Sequence, residues 1–193
     1  MLINDIEFGV VPSDCFTINK TELAARLKKA DINNEYDELI AKFNSYAKYR
    51  FAYTRVPVSV VKDTCVFDCG SVVSSSLSTI LSDCSEAVIF AVSSGIEADK
   101  LLSRESIKSN AEGFILDAIG SAMIESFADY VNILIVGDQK ATKRFSPGYA
   151  DFPLEFQRTL LKRLNAERTV GIALSEQLLM TPMKSITAVI GIY

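Results

Sequence analysis

The sequence predicts a mixed α and β domain, and three observations carry that reading. Strand-like β-branched and aromatic segments alternate irregularly with segments of helical spacing, so neither an all-helical nor an all-β domain fits. No G-x-G-x-x-G motif opens a helix after a strand, which leaves a dinucleotide-binding fold unsupported. The chain has 193 residues, 49% of them hydrophobic, and no internal repeat; that is enough for one domain with a sizeable core.

The elements follow in order. Residues 1–20 are mixed, with a Val-Pro-Ser-Asp turn at 11–14. Helical spacing runs from Thr21 to Ala30. A second helix spans 35–50, with Leu39, Phe43 and Tyr46 on one face. Phe51 to Lys62 reads as a strand, and Cys65 to Asp68 as a short strand before Gly70. Ser71 to Leu81 reads as a short helix that starts on serines. Their hydroxyls suit capping, and the glycines and lysine of a phosphate-binding loop are absent. Ala87 to Val92 is a compact apolar strand ended by Ser93-Ser94-Gly95.

The clearest helix runs from about Ile107 to Tyr130. Phe114, Ala118, Ala122 and Phe127 mark its core-facing stripe, with Ile115, Ile119 and Met123 beside them. Glu125 falls roughly 70° from the stripe centre, at the edge of the buried face, where it can meet a ligand. Ser121 and Asp117 lie one and two turns earlier. Val131 to Val136 reads as another strand. Pro153 to Asn165 reads as a helix with Leu154, Leu160, Leu161 and Leu164 inward. Arg168 to Leu174 is a short strand or turn, and Ile186 to Tyr193 a final strand.

Composition narrows the function. The net charge of −4, with acids and bases interspersed, argues against nucleic acid as the partner. No apolar run reaches the ~18 residues of a membrane span, and the N-terminus lacks a signal-peptide pattern. A cytoplasmic protein is the expectation. Cys15, Cys65, Cys69 and Cys84 read as reduced, mostly buried thiols. The chain has no histidine. That excludes Ser–His–Asp and Cys–His nucleophile pairs and histidine-ligated metals, and it denies this chain an imidazole for a corrinoid cobalt.

The segment from Arg144 to Pro153 carries the most chemistry. A basic run (Lys140, Lys143, Arg144) enters a stiff turn at Ser146-Pro147-Gly148, followed at once by Tyr149. Pro147 presets φ, and Gly148 permits positive φ or a close approach to a ligand. Asp151 and Pro153 read as the start of the next helix. An Arg, a Tyr and several backbone N–H groups are thereby held together. This suits a small ligand with a carboxylate and a cationic centre. The competing role for Arg144 is an internal ion pair to Glu125 or Asp151.

R-x-x-x-G-Y (Arg144 to Tyr149), the segment Leu174-Ser-Glu-Gln-Leu-Leu-Met180 and Pro182-Met-Lys-Ser-Ile186 occur in that order. In this the chain resembles the activation domain of cobalamin-dependent methionine synthase, in a stand-alone form. The resemblance is clear over residues 70–193. Residues 1–60 form an N-terminal elaboration of the same single domain, 1–193. The resemblance implies an α+β fold with a central twisted, largely antiparallel sheet and flanking helices. It implies S-adenosylmethionine (AdoMet) bound by Arg144, Glu125, Tyr149, Gly148 and Ser146, with no catalytic residue and no metal in this chain. It also implies cobalamin carried by a partner, the corrinoid-binding domain of a methionine synthase, and a flavodoxin-like electron donor. The chain would then be a reactivation module that does not catalyse alone. The other reading is a docking or scaffold protein of the same fold without AdoMet binding. Ala150 departs from the pattern, which carries glycine or proline after Gly-Tyr.

Overall fold

The computed structural model describes residues 2–3 and 5–193, with side chains from Asp5 onward. The strands are β1 (Leu2–Ile3), β2 (Ile6–Val11), β3 (Tyr49–Val61), β4 (Thr64–Phe67), β5 (Gly70–Val73), β6 (Glu86–Ser93), β7 (Ala173–Leu174), β8 (Met180–Thr181) and β9 (Ser185–Ile192). The helices are α1 (Lys20–Leu27), α2 (Asp37–Tyr46), α3 (Ser75–Leu81), α4 (Ile96–Lys108), α5 (Asn110–Val136), α6 (Phe156–Arg163) and α7 (Ala166–Thr169).

Among the described residues, seven strands form one curled antiparallel sheet. The long strand β3 organises it. Its first part pairs with β2 on one side and β6 on the other, and its last residues pair with β4, which continues into β5. β6 pairs in turn with β9, from Glu86 opposite Ile192 to Ser93 opposite Ser185. β7 and β8 make a separate small ribbon.

Both faces of the sheet are covered, which is why β6 reads as an unbroken apolar run rather than an alternation. On one face Val88, Phe90 and Val92 of β6, with Ala188 and Ile190 of β9, pack against α1, α2, α4 and α5. On the other, Ala87, Ile89 and Ala91, with Val189, pack against α3, α6 and α7. The expected antiparallel sheet with flanking helices is the fold observed.

The serines cap helices as their chemistry suggests. Ser74 Oγ accepts from the Leu77 N–H at 3.1 Å at the start of α3, and Ser109 Oγ accepts from the Glu112 N–H at 3.3 Å at the start of α5.

Several expectations need correction. Val131 to Val136 is not a strand; it is the last part of α5, with Val131 and Ile135 buried against the core. Phe114 is 60% exposed. Near its start α5 presses Gly113 against α4, where an added Cβ would meet Ser106 Cα at 2.6 Å. Phe114, about 100° round from Gly113, therefore faces away, and Leu116 takes the inward place. Leu154 is also exposed, because the helix it was assigned to begins only at Phe156. Asp151 does not cap that helix. Its carboxylate reaches across to α3, accepting from the Ser75 N–H at 2.6 Å, Ser75 Oγ at 2.7 Å, Ser74 Oγ at 2.8 Å and the Ser76 N–H at 3.1 Å. These bonds hold the Asp151 carboxyl far below the usual carboxylate range. Cys65 and Cys84 are buried as expected, whereas Cys15 is exposed.

By length and mean hydropathy α5 could cross a membrane, although Asp117, Glu125 and Asp129 interrupt its apolar run. It is instead the central helix of the domain, with Leu116, Ile119, Ala122, Met123 and Phe127 buried in the core.

Candidate functional site

The loop after α5 is built against the last strand. Phe145 and Val189 exchange N–H···O bonds at 2.9 Å, and the Thr142 N–H donates to Gly191 O at 2.9 Å. The segment therefore extends the sheet as a partial strand beside β9. The turn that follows closes on itself. The Gly148 N–H donates to Phe152 O at 2.8 Å, and the Phe152 N–H donates to Tyr149 O at 2.9 Å. Phe145 and Phe152 stack with ring centroids 5.9 Å apart, fastening the turn to the core. Gly148 has φ +89, so the positive φ allowed for in the sequence is used. Ala150 has φ +48, the left-handed region in which glycine would carry no steric penalty.

A cavity of about 540 Å³ opens between this loop, α5 and the entry to β9. Arg144, Glu125, Tyr149 and Ser146 line it. Gly148 does not; it shapes the turn from behind. Four of the five residues singled out from the sequence thus share one cleft.

The guanidinium is braced from α5. Arg144 Nη2 donates to Glu125 Oε2, and Nη1 to Asp129 Oδ1, a residue the sequence reading left out. The competing internal ion pair therefore exists with Glu125 but not with Asp151, which serves α3. The Arg144 side chain is 22% exposed and that of Asp129 63%, so Arg144 stands at the cleft wall and is not sealed inside. Tyr149 is 64% exposed at the rim.

Further lining residues went unassigned in the sequence. Lys184 enters from the Pro182-Met-Lys-Ser segment and is 9% exposed. Its Nζ donates to Asp117 Oδ1 at 2.7 Å and Ser121 Oγ at 2.8 Å. Gln157 of α6 is buried, and its Oε1 accepts from Thr187 Oγ1 at 3.4 Å. Met180 and Met183 supply apolar wall. The loop holding Met183 and Lys184 is pinned by α4, where Asp99 Oδ2 accepts from the Met183 N–H at 2.7 Å. Burial pushes the Asp99 carboxyl up, and the backbone N–H groups of Met183 and Lys184 pull it back. The only legible signal for Lys184 was its place in a recurring motif; its meeting with Asp117 and Ser121 depends on the β6–β9 pairing.

The arrangement offers a fork-shaped cation, a half-buried carboxylate, a phenol and buried amide and hydroxyl groups in one apolar-backed cleft. These are the complements of a zwitterionic small molecule with a polar second end.

The sheet order and the two helix layers define an activation-domain fold, as the motif resemblance implied. No family model matches the sequence, and no curated protein matches it. Among solved structures, the chain is similar to the reactivation domain of MetH bound to AdoHcy. The two are 17% identical, with a TM-score of 0.73, and the match covers 96% of this chain and 78% of that one. At that identity the likeness is one of fold.

Proposed function

We propose that this chain is an AdoMet-binding reactivation module that supports reductive methylation of cob(II)alamin on a partner, a methionine synthase or another corrinoid methyltransferase. The observation that carries the reading is the convergence of Arg144, Glu125, Tyr149 and Ser146 on one cleft in a domain with the fold of a reactivation domain solved with AdoHcy. AdoHcy is the demethylated form of AdoMet, so a cleft suited to one suits most of the other.

The residues fit the ligand. Arg144 uses two donors on Glu125 and Asp129, and a guanidinium has five. Its remaining N–H groups can take the amino-acid carboxylate of the ligand in a charge-assisted pair. The Asp129 partner is mostly exposed, and exposed pairs contribute only about 0–1 kcal/mol, so a ligand carboxylate can replace it. Glu125 has Oε1 left for the ligand ammonium. The Tyr149 ring can lie beside the sulfonium, worth about 0.5–2 kcal/mol. Ser146 and the backbone of the Gly148 turn can meet the ribose or adenine. Bound AdoMet would supply the methyl group; the protein contributes position and orientation rather than proton transfer. That division suits a chain without histidine. The corrinoid, the electron from a flavodoxin-like donor and a cytosolic setting complete the reading.

Thermal unfolding with AdoMet or AdoHcy tests it. Ligand at 100 times its dissociation constant stabilises by about 2.7 kcal/mol, a rise of roughly 5–10 °C at this chain length. Arg144→Ala should abolish most of the rise. No rise at millimolar ligand overturns the proposal. One observation favours the docking-protein reading: Arg144 already has two carboxylate partners within the chain. A silent ligand assay together with retained binding to a corrinoid protein would select it.

A further inference from the structure

Four α5 residues at four-residue spacing (Asp117, Ser121, Glu125 and Asp129) form one polar row that winds slowly round the helix. Two cations from elsewhere in the chain dock on it in the same manner. Arg144 bridges Glu125 and Asp129, and Lys184 bridges Asp117 and Ser121. The docking points are eight residues apart, which is about 12 Å along the helix axis. Ser121, Glu125, Arg144 and Lys184 all line the same cavity.

The Lys184 side chain is set in place. Its stem crosses α5 at Gly120, where an added Cβ would stand 3.2 Å from Lys184 Cε. Its backbone carbonyl accepts from the Ser94 N–H at 3.0 Å, and the preceding residue is tied to Asp99. An ammonium has three donors, and among the described residues two are used. Asp117 already balances its charge, so the remaining N–H suits a neutral acceptor better than a second anion.

We propose that Lys184 is a second ligand-binding residue of the cleft, donating to a ring nitrogen or ribose oxygen at the nucleoside end of a ligand whose carboxylate lies on Arg144. The inference rests on the AdoMet reading and assigns the far end of that ligand. A nucleoside joined to an amino acid through sulfur is extended enough to reach from one docked cation towards the other.

Calorimetric titration of the full chain with AdoHcy, and competition of AdoHcy by adenosine and by homocysteine, tests it. A hydrogen bond to a charged donor contributes about 1.5–3 kcal/mol, so Lys184→Met should weaken AdoHcy and adenosine roughly tenfold or more. Homocysteine should stay within about twofold of wild type, judged from the same constants. Arg144→Gln should give the reverse pattern. Lys184→Met combined with Asp117→Asn, which leaves no unpaired carboxylate, serves where the single methionine variant fails to fold. The inference is overturned if either Lys184 variant binds AdoHcy and adenosine like wild type, if both fragments weaken equally, or if wild type shows no adenosine competition. Should Arg144→Gln weaken AdoHcy while Lys184 variants do not, the AdoMet reading stands and this inference alone falls. Should wild type bind no AdoHcy, both fall.

Discussion

Replacing Gly120 with alanine sets two effects of opposite sign against each other. Gly120 lies inside α5, where alanine is favoured over glycine by about 1 kcal/mol on helix propensity alone. On that basis Tm should rise by about 2–4 °C for a chain of this size. The surroundings argue otherwise. The new Cβ would meet Phe43 Cε2 at 2.9 Å, Phe43 Cζ at 3.1 Å and Lys184 Cε at 3.2 Å. Phe43 of α2 is fully buried against α5, and Lys184 is fastened at both its backbone and its Nζ. Neither neighbour can give cheaply, and overpacking a tight core costs about 1–3 kcal/mol. The net expectation is destabilisation of about 1 kcal/mol, with Tm falling by about 2–4 °C. Thermal and urea unfolding of Gly120→Ala measure it. In a Phe43→Leu background the same substitution should cost less, giving a favourable coupling between the two sites. A rise in Tm for the single variant would refute the packing argument.

Glu105 of α4 is paired with Lys108, Arg104 and Lys42, and its carboxyl is pushed down to about 2. Its folded value lies below the unfolded one, so its stabilisation is present above the ordinary carboxylate range and is lost as pH falls towards about 2. Urea midpoints measured between pH 5 and 2 should decline less steeply in Glu105→Gln than in wild type; parallel declines would count against the assignment. Asp151→Ala removes four hydrogen bonds at the start of α3. It should lower the urea midpoint at neutral pH, and the gap from wild type should close in strong acid, where wild type also loses the carboxylate. A midpoint equal to that of wild type at pH 7 would show that the contact is dispensable.

Legibility followed locality. The Ser146-Pro147-Gly148 turn, the serine caps and the apolar run of β6 are set by neighbouring residues, so the sequence displayed them. Val131-Asn-Ile-Leu-Ile-Val136 misled because a short apolar run has no period that separates strand from helix. Tertiary burial of Val131 and Ile135 keeps it helical while Ile133 and Leu134 remain exposed. The helix α4 was missed although its inward residues, Ala98, Leu101, Leu102 and Glu105, recur at helical spacing; frequent charges hid the stripe, and two buried residues, Asp99 and Glu105, are themselves acids. In the cleft, Arg144, Ser146 and Tyr149 lie on one turn, and Glu125 was found from its place on a helical wheel. Lys184 and Thr187 reach the cleft through the pairing of β9 with β6, and Gln157 through the seating of α6 beside β9; no local pattern announces either.

That pairing has a consequence for how the protein is made. β9 sits between β6 and the segment around Phe145, yet it is the last of these to leave the ribosome. Until residues 185–192 emerge, the Phe145 segment has no strand to lie along, and one apolar edge of β6 has no neighbour. A nascent chain that stalls before this point holds most of the domain's mass but lacks the cleft wall supplied by Ser185, Ile186 and Thr187. Under the proposed function, AdoMet would stabilise only chains whose synthesis has passed β9.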